Sequence, residues 1–591
     1  IGFQAYPTIF FCYSHVKRRL LLLAWISYTI MAQNTTQERC PRQCFCHRFY
    51  HPSDGPCMRV QCSFGGLHSM PIQCLVKEDV HQFIINPPAN DPNFITIGPA
   101  LTQPVPYSSL RQLSILHSNI LYIGQFTFWG LVNLKTLNLS GNNITSISMD
   151  NFRGLVNLTT LTLDYNCIDQ IASESFRYME SLTRLTLSHN RISELAPRLF
   201  RMLGKLDLLD LSFNPLNDLN PEVFKDTQNV KKFKCRKCLL RRINVQIYHI
   251  MPLIEELDIG DNLFKFITKD DFSNLKKLRK LQIDQNQITV IVDDVFKQNV
   301  LLEHLDVSHN RIALLTPGSL NKLSKLNHLD ISYNRLEKFR PQTFASVVKS
   351  LRTINFSGNK LPLNEISVVL QMLQDIEVVR LENISLESIP PKFFMFNRHL
   401  VTLDISSNKL THFPYHLLLN TRILHDFDIS HNKLTSLKID HLRRLEAIPN
   451  VNLANNPWSC DRCSVLPMLN YMRVTVLNSS IRILRCHSPM RLRGVYFADL
   501  KPGLLDSCFA SYEVKMSIAA GLMLVLGSVV ATAVIALYCT RRPSSQNMDY
   551  NYTDAGKRLN CERDHSDELG SSTDNSVSTI HSSQHQQQNS S

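Results

Sequence analysis

Glycine is scarce in this chain, 19 of 591 residues, and proline reaches only 27, so a collagen-like architecture is excluded. With 44% hydrophobic residues the chain can bury a large core, which excludes disorder throughout. Its length allows roughly three to five ordinary domains, or one long repetitive one. The net charge of +13 would favour a nucleic-acid partner inside a cell, so the compartment decides its meaning.

Two apolar runs settle the compartment. The first, Leu20 to Ile30, follows Lys17, Arg18 and Arg19 and leads through Ala32 into a polar stretch. That order predicts a secretory signal peptide over 1–32, cleaved after Ala32, because eleven residues are short for a membrane span. The first methionine is Met31, and residues 1 to 16 carry no reading. The second run, Met516 to Tyr538, has 23 residues and no charged side chain. As a helix it extends roughly 35 Å, enough to cross a hydrocarbon core of ~30 Å. Arg541 and Arg542 follow it and place that end in the cytoplasm. The expectation is a single-pass, type I protein of the plasma membrane with its ectodomain outside. Of the charges, 55 basic and 43 acidic residues fall between 33 and 515, where nucleic acid is not an expected target.

Apolar residues in the ectodomain recur at a fixed period. Ten units start at intervals of 24, from Leu110 through Leu134, Leu158, Leu182, Leu206, Val230, Ile254, Leu278 and Leu302 to Leu326; five more start at Leu351, Ile376, Leu400, Leu424 and Ile448. Each reads L-x-x-L-x-L-x-x-N-x-L with conservative exchanges, as in Leu134, Leu137, Leu139, Asn142 and Ile144. Twelve of the fifteen carry Asn at the ninth position, the exceptions being Ser118, Cys238 and Ile384. The L-x-L step has period two, so Leu137 and Leu139 point into a core while Asn138 faces away, on a short strand. The ninth-position amide can donate to and accept from backbone groups where the chain turns. Phe residues such as Phe152 and Phe176 fill the return side. One unit cannot bury its own apolar face, so the units must stack and the ends must be sealed.

These residues resemble the leucine-rich repeat family of the 24-residue extracellular type. The resemblance implies an α/β repeat: a curved solenoid with a parallel β-sheet on its concave side. Cysteines flank the repeats in two clusters, as expected of a disulfide framework in an oxidising compartment. Around Cys40, Cys44, Cys46 and Cys62 the sequence resembles the N-terminal cap of the family, implying Cys40–Cys46 and Cys44–Cys62. Cys57 and Cys74 are surplus to that pattern and available for a third bridge. Asn456-Pro457-Trp458 with Cys460, Cys463, Cys486 and Cys508 resembles the C-terminal cap, implying Cys460–Cys486 and Cys463–Cys508, although two residues separate Cys460 from Cys463 where one is commoner. That spacing alone would admit zinc, but the compartment and the cap motif favour disulfides. Cys235 and Cys238 occupy inward positions and read as buried thiols. Cys167 makes the ectodomain count odd, leaving a free thiol or an intermolecular bridge open.

The expected organisation is therefore a signal region over 1–32, a cysteine-rich cap and degenerate first turn over 33–109, and fifteen repeats over 110–458. A second cap over 459–513, a membrane helix with flanks over 514–540 and a disordered tail over 541–591 complete it. The tail carries Tyr550 and Tyr552 in an acidic setting, and Cys539 at the membrane edge is a plain cysteine or a palmitoylation site. Catalysis is not expected. Ser188-His189-Asn190, Asp306-x-Ser308-His309 and Asp428-x-Ser430-His431 offer triad residue types, but they recur with the repeat period and so form rows on the ladder. No metal or cofactor is expected either.

Positions 2, 3, 5, 7 and 8 of each unit face the concave side. One rung displays Lys231, Lys232, Lys234, Arg236 and Lys237; the next displays Glu255, Glu256, Asp258 and Asp261, and the preceding one Asp207 and Asp210. Ion pairing between rungs and docking of a complementary ligand both account for them. Glycosylation sequons lie at Asn34, Asn138, Asn143, Asn157, Asn355, Asn383 and Asn478, and none falls in the rungs from Leu182 to Leu326. That window is the expected contact surface. The function read from the sequence is a cell-surface receptor or adhesion protein that binds an extracellular protein ligand or acidic glycan, with a co-receptor or cytoplasmic adaptors for signalling. The alternatives are a membrane-anchored organiser of extracellular matrix and an innate-recognition receptor acting with a co-receptor.

Overall fold

A computed structural model describes residues 40–41, 43–52, 55–71, 80–98, 109–419, 421–505 and 512–540. The signal region, Asn34, Cys74, Cys508, and the tail with Tyr550 and Tyr552 lie outside the described residues, as do the side chains of Asn478 and Cys539. The chain divides into two units, 1–508 and 509–591.

In the first unit six short strands pair off in three two-stranded sheets, and eighteen strands form one sheet. It begins with an antiparallel hairpin of Cys44–His51 against Gly55–Cys62 and continues in parallel through Val80–Ile85 and Gln112–Ile115. From there every repeat adds one short strand, ending with Asn450–Asn452. Equivalent positions lie opposite one another: Leu209 pairs with Phe233, and Phe233 with Leu257. A shift by one residue would turn each L-x-L step inside out, so burial of one face fixes the register. The result is an α/β repeat solenoid with a parallel sheet.

The buried rows follow from the 24-residue spacing. Leu137, Leu139, Leu161 and Leu163 are fully buried, while Asn138 and Thr162 are half-exposed. On the return side Phe128, Phe152 and Phe176 stack with ring centroids 6.1 Å apart at each step. Burying each such ring stabilises the fold by about 1.5–3 kcal/mol.

Between the two rows runs the asparagine ladder. Asn310 is 7% exposed; its Nδ2 donates to the Ile283 and Val307 carbonyls at 3.0 and 3.1 Å, and its Oδ1 accepts from the Ile288 amide at 3.0 Å. Asn166, Asn190, Asn334 and Asn432 repeat this arrangement. Each amide thereby pairs backbone groups of two successive units that packing has removed from water. Where Cys238 replaces Asn, its Sγ donates to the Leu211 carbonyl at 3.3 Å, a weaker substitute.

The eighth position shows a regularity the repeat motif does not announce. All fifteen of these residues have positive φ, from 47° at His117 to 70° at Gly141. The strand has just ended there, and the left-handed residue turns the chain so that its amide reaches the next unit, as when Tyr165 donates to the Ser188 carbonyl at 3.0 Å. Left-handed backbone is costly for ordinary side chains, and His, Asn, Asp and Gly fill nine of the fifteen positions. Gly141 and Gly358 are needed for a further reason: a Cβ on either would strike the ring of the preceding unit, His117 or Tyr333.

The second unit is described as one helix, Tyr512–Thr540, beginning two residues before the expected segment. Its stretch Ala520–Leu537 has a mean hydropathy of 2.4 and is long and apolar enough to cross a membrane.

Candidate functional site

The charged rungs predicted from sequence come together on the solvent side of the sheet. Lys231 Nζ lies 3.4 Å from Asp207, Lys232 Nζ 2.6 Å from Glu256, and Lys237 Nζ 3.5 Å from Asp261. Arg236 sits between Asp258 at 3.1 Å and Asp284 at 2.5 Å. Glu255 is 4.0 Å from Arg279, which also holds Glu303 at 2.5 Å. Lys234 has no carboxylate partner among the described residues. Pairing between rungs is therefore the structure of this patch.

Burial divides the patch into two kinds of pair. The Arg236 and Asp284 side chains are 18% and 8% exposed, whereas Lys231, Lys232 and Lys237 are 50%, 41% and 56% exposed. Burial works to lower the pKa of the Arg236 guanidinium, but hydrogen bonds to Asp284 and the charges of Asp258 and Asp284 outweigh it and hold it above its usual value. Gly260 lies under this contact; a Cβ there would collide with the Arg236 guanidinium and the Asp284 carboxylate. Asp284 and Gly260 were absent from the sequence-based site. Asp284 stands two rungs from Arg236, beyond the nearest-neighbour pairs that strand spacing suggests.

The row of fifth positions carries carboxylates on several rungs. Burial raises the pKa of Asp306, against hydrogen bonds from Ser308 that lower it and the charges of Asp284 and Asp330 that add to it. Burial likewise raises Asp164, against hydrogen bonds from Ser188 and Thr186. His304 and His328 face each other from adjacent rungs at 5.5 Å, and the His328 pKa is lowered by burial first and by His304 next, against Asp330. Further along the sheet, Val476 and Leu477 of the C-terminal segment help to enclose a recess of about 400 Å³ whose lining includes Arg380, Asp404, Asp426 and Asp428.

The Ser, His and Asp rows are structural in arrangement. Ser308 and Ser430 donate their hydroxyls to Asp306 and Asp428, at 2.7 and 2.6 Å, tightening the turn after the strand. His189 is held between the Tyr165 and Phe213 rings at 4.1 and 3.9 Å, and His309 stacks on Tyr333 at 4.6 Å. No catalytic constellation forms there among the described residues.

At the ends, Cys40–Cys46, Cys44–Cys62 and Cys460–Cys486 are disulfide-bonded. Cys463 is bonded too, its expected partner Cys508 lying outside the described residues. A third bridge through Cys57 and Cys74 is not formed: Cys57, on the hairpin strand Gly55–Cys62, is a free thiol, 3% exposed. Cys235 and Cys238 are buried free thiols, and Cys167 is a half-buried one. Of the sequons, the Asn355 amide donates to Asp330 at 2.9 Å, Asn157 to the Val132 carbonyl at 2.9 Å and Asn143 to Asn119 at 3.0 Å; Asn138 accepts from Ser140, and Asn383 is an eighth-position residue with φ 51°.

One further residue escaped the sequence reading. Asn93, fully buried, accepts from the Leu67 amide at 2.9 Å and donates to the Ser118 hydroxyl, so the ladder begins one unit before Leu110. Its signal was Val80-x-x-Phe83-x-Ile85, broken by the inserted Pro-rich stretch before Asn93.

The family model described as Leucine rich repeat matches residues 108–168, 156–216, 252–312, 301–361 and 375–434. The repeats are leucine-rich repeats. Among solved structures, a leucine-rich repeat protein of Leptospira interrogans is similar at 19% identity and a TM-score of 0.55, over 66% of this chain and 94% of its own. TLR13 in its complex with ssRNA13 is similar at 18% identity and a TM-score of 0.54, over 76% and 75%. Toll in its glycosylated complex with Spatzle, from Drosophila, is similar at 17% and 0.50, over 79% and 77%. At these identities the likeness is one of fold.

Proposed function

We propose that this leucine-rich repeat protein is a cell-surface receptor or adhesion protein. It binds an extracellular protein ligand through the exposed face of its sheet, within the sequon-free rungs from Leu182 to Leu326. The supporting observation is the accessibility of the charged pairs there. Lys231, Lys232 and Lys237 keep two-fifths or more of their side-chain surface in solvent, so a ligand can exchange partners with them at little desolvation cost. Lys234 has no acidic partner among the described residues to give up. Arg236, by contrast, holds the rungs together.

The membrane helix and disulfide-bonded caps support placement in the plasma membrane with the repeats outside, glycosylated at the sequons flanking the window. A co-receptor or cytoplasmic adaptors would carry the signal. The test is affinity capture of a partner by the full-length protein, followed by K231E/K232E/K234E. Capture lost at unchanged surface expression and melting supports the reading; capture retained overturns the assignment of the face. Removal of residues 541–591 separates a receptor, which loses its cellular effect, from a matrix organiser, which keeps it.

A further inference from the structure

Away from the sheet, the flank of three successive repeats encloses a cavity of about 390 Å³, with Arg241, Arg242, Tyr248, Phe264, Phe266 and Ile267 in its lining. This volume falls in the range of about 300–1,000 Å³ typical of small-molecule sites. Its origin is a local departure from the repeat. Tyr248 occupies the place that Phe224 and Phe272 hold 24 residues to either side, and its ring packs 6.4 Å from Phe272. The side chain is only 2% exposed, and its hydroxyl has no hydrogen-bond partner among the described residues. A phenol placed in a row of phenylalanines, without a protein hydrogen bond, leaves its hydroxyl open to a partner from the cavity it lines.

Two other features converge on the same cavity. Arg241 and Arg242 are exposed and pair with no carboxylate among the described residues. The lining also holds two carboxylates, each hydrogen-bonded to its own segment: Asp271 accepts from the Thr268 amide and hydroxyl at 2.6 and 3.0 Å, and Asp218 accepts from the Leu219 amide at 2.8 Å. Phe266 is 69% exposed although it borders the cavity. An uncovered aromatic ring beside two uncommitted guanidinium groups presents apolar surface and anion-binding forks together.

We propose that this cavity binds a small amphipathic anion. Its apolar body lies against Phe264, Phe266 and Ile267, its acidic head is held by Arg241 and Arg242, and the Tyr248 hydroxyl donates to it. The site uses none of the charged rungs of the sheet, so it is separate from the proposed protein-binding face.

A photoreactive lauric acid analogue carrying an alkyne tests this on open membrane fragments from cells expressing the full-length chain. The expected label falls on peptides within 241–272. Excess laurate displaces it and methyl laurate does not. R241A/R242A, at exposed positions, reduces it about tenfold or more, and Y248F, which keeps the ring in its row, reduces it less. No label within 241–272, label indifferent to the arginines, or equal displacement by the methyl ester each overturns the proposal. Label confined to the helix Tyr512–Thr540 reports partition into the bilayer and overturns it as well.

Discussion

The Arg236 guanidinium reaches across two rungs to Asp284, with Nη2 2.5 Å from Oδ1 and Nη1 3.0 Å from Oδ2, while its Nε donates to Asp258 at 3.1 Å. Removing the cation leaves a carboxylate that is 8% exposed without its partner. Arg236→Ala should therefore destabilise the repeats by about 3 kcal/mol, read as a shift in denaturant midpoint. Gly260→Ala should act through the same contact. In a double-mutant cycle the two losses should be far from additive, whereas simple addition would show that Gly260 matters for another reason.

Asn310→Ala removes one ladder amide and strands the Ile288 amide, while the Ile283 and Val307 carbonyls each lose one bond and keep those from Asn286 and Asn334. The expected loss is about 1–3 kcal/mol, with faster hydrogen exchange concentrated in the units on either side. Uniform exchange along the whole solenoid would contradict a ladder that couples neighbours only.

Gly358 has φ 69°, and a Cβ there would meet the Tyr333 ring. Gly358→Ala should cost about 1–2 kcal/mol from the left-handed backbone, and more from the ring. Adding Tyr333→Ala should recover part of the loss. A double variant no more stable than Gly358→Ala alone would remove the ring from the explanation.

Stability should fall on mild acidification, and His328 is one cause. Burial lowers its pKa in the folded state, so the unfolded chain binds the proton first as pH drops below about 6.5. Its contribution is present above that pH and is lost as pH falls toward the lowered value. His328→Gln should flatten the dependence. Asp306 has the opposite sign: burial raises its pKa, so the folded state takes up a proton before the unfolded one and the carboxylate weighs against folding at neutral pH. Asp306→Asn should be neutral or stabilising at pH 7, as chemical denaturation would show.

Peptide mapping without reduction should recover Cys40–Cys46, Cys44–Cys62 and Cys460–Cys486 as linked pairs and Cys57 as a free thiol that reacts with alkylating agents only after unfolding. A Cys57 cross-link in the map would reinstate the third bridge.

Much of the fold was legible because the repeat states its own register. The L-x-L step fixed which face of each strand is buried, and the ninth-position Asn named the ladder. What stayed hidden depends on geometry that no residue type announces. The eighth position is left-handed in every unit, yet Phe213, Tyr165 and Lys237 stand there as well as Gly and Asn, since hydrogen bonding to the next unit overrides local preference. The charged rung and its partners on the adjacent rungs were visible, but Asp284 was not. Nearest-neighbour spacing pointed to Glu256 and Asp258, and only the open space over Gly260 lets Arg236 pass to Asp284. Asn93 was obscured by an insertion that changed its distance from the strand.

The Arg236 to Asp284 contact also makes the solenoid sensitive to its own length at one place. Most rows would survive the gain or loss of a whole 24-residue unit, because each side chain would meet an equivalent one from the newcomer. Arg236 would not, since its carboxylate stands a fixed two units away. Duplication of the unit starting at Ile254 would carry Asp284 out of reach, so this pair works as a gauge that admits one spacing between the unit starting at Val230 and the unit starting at Leu278.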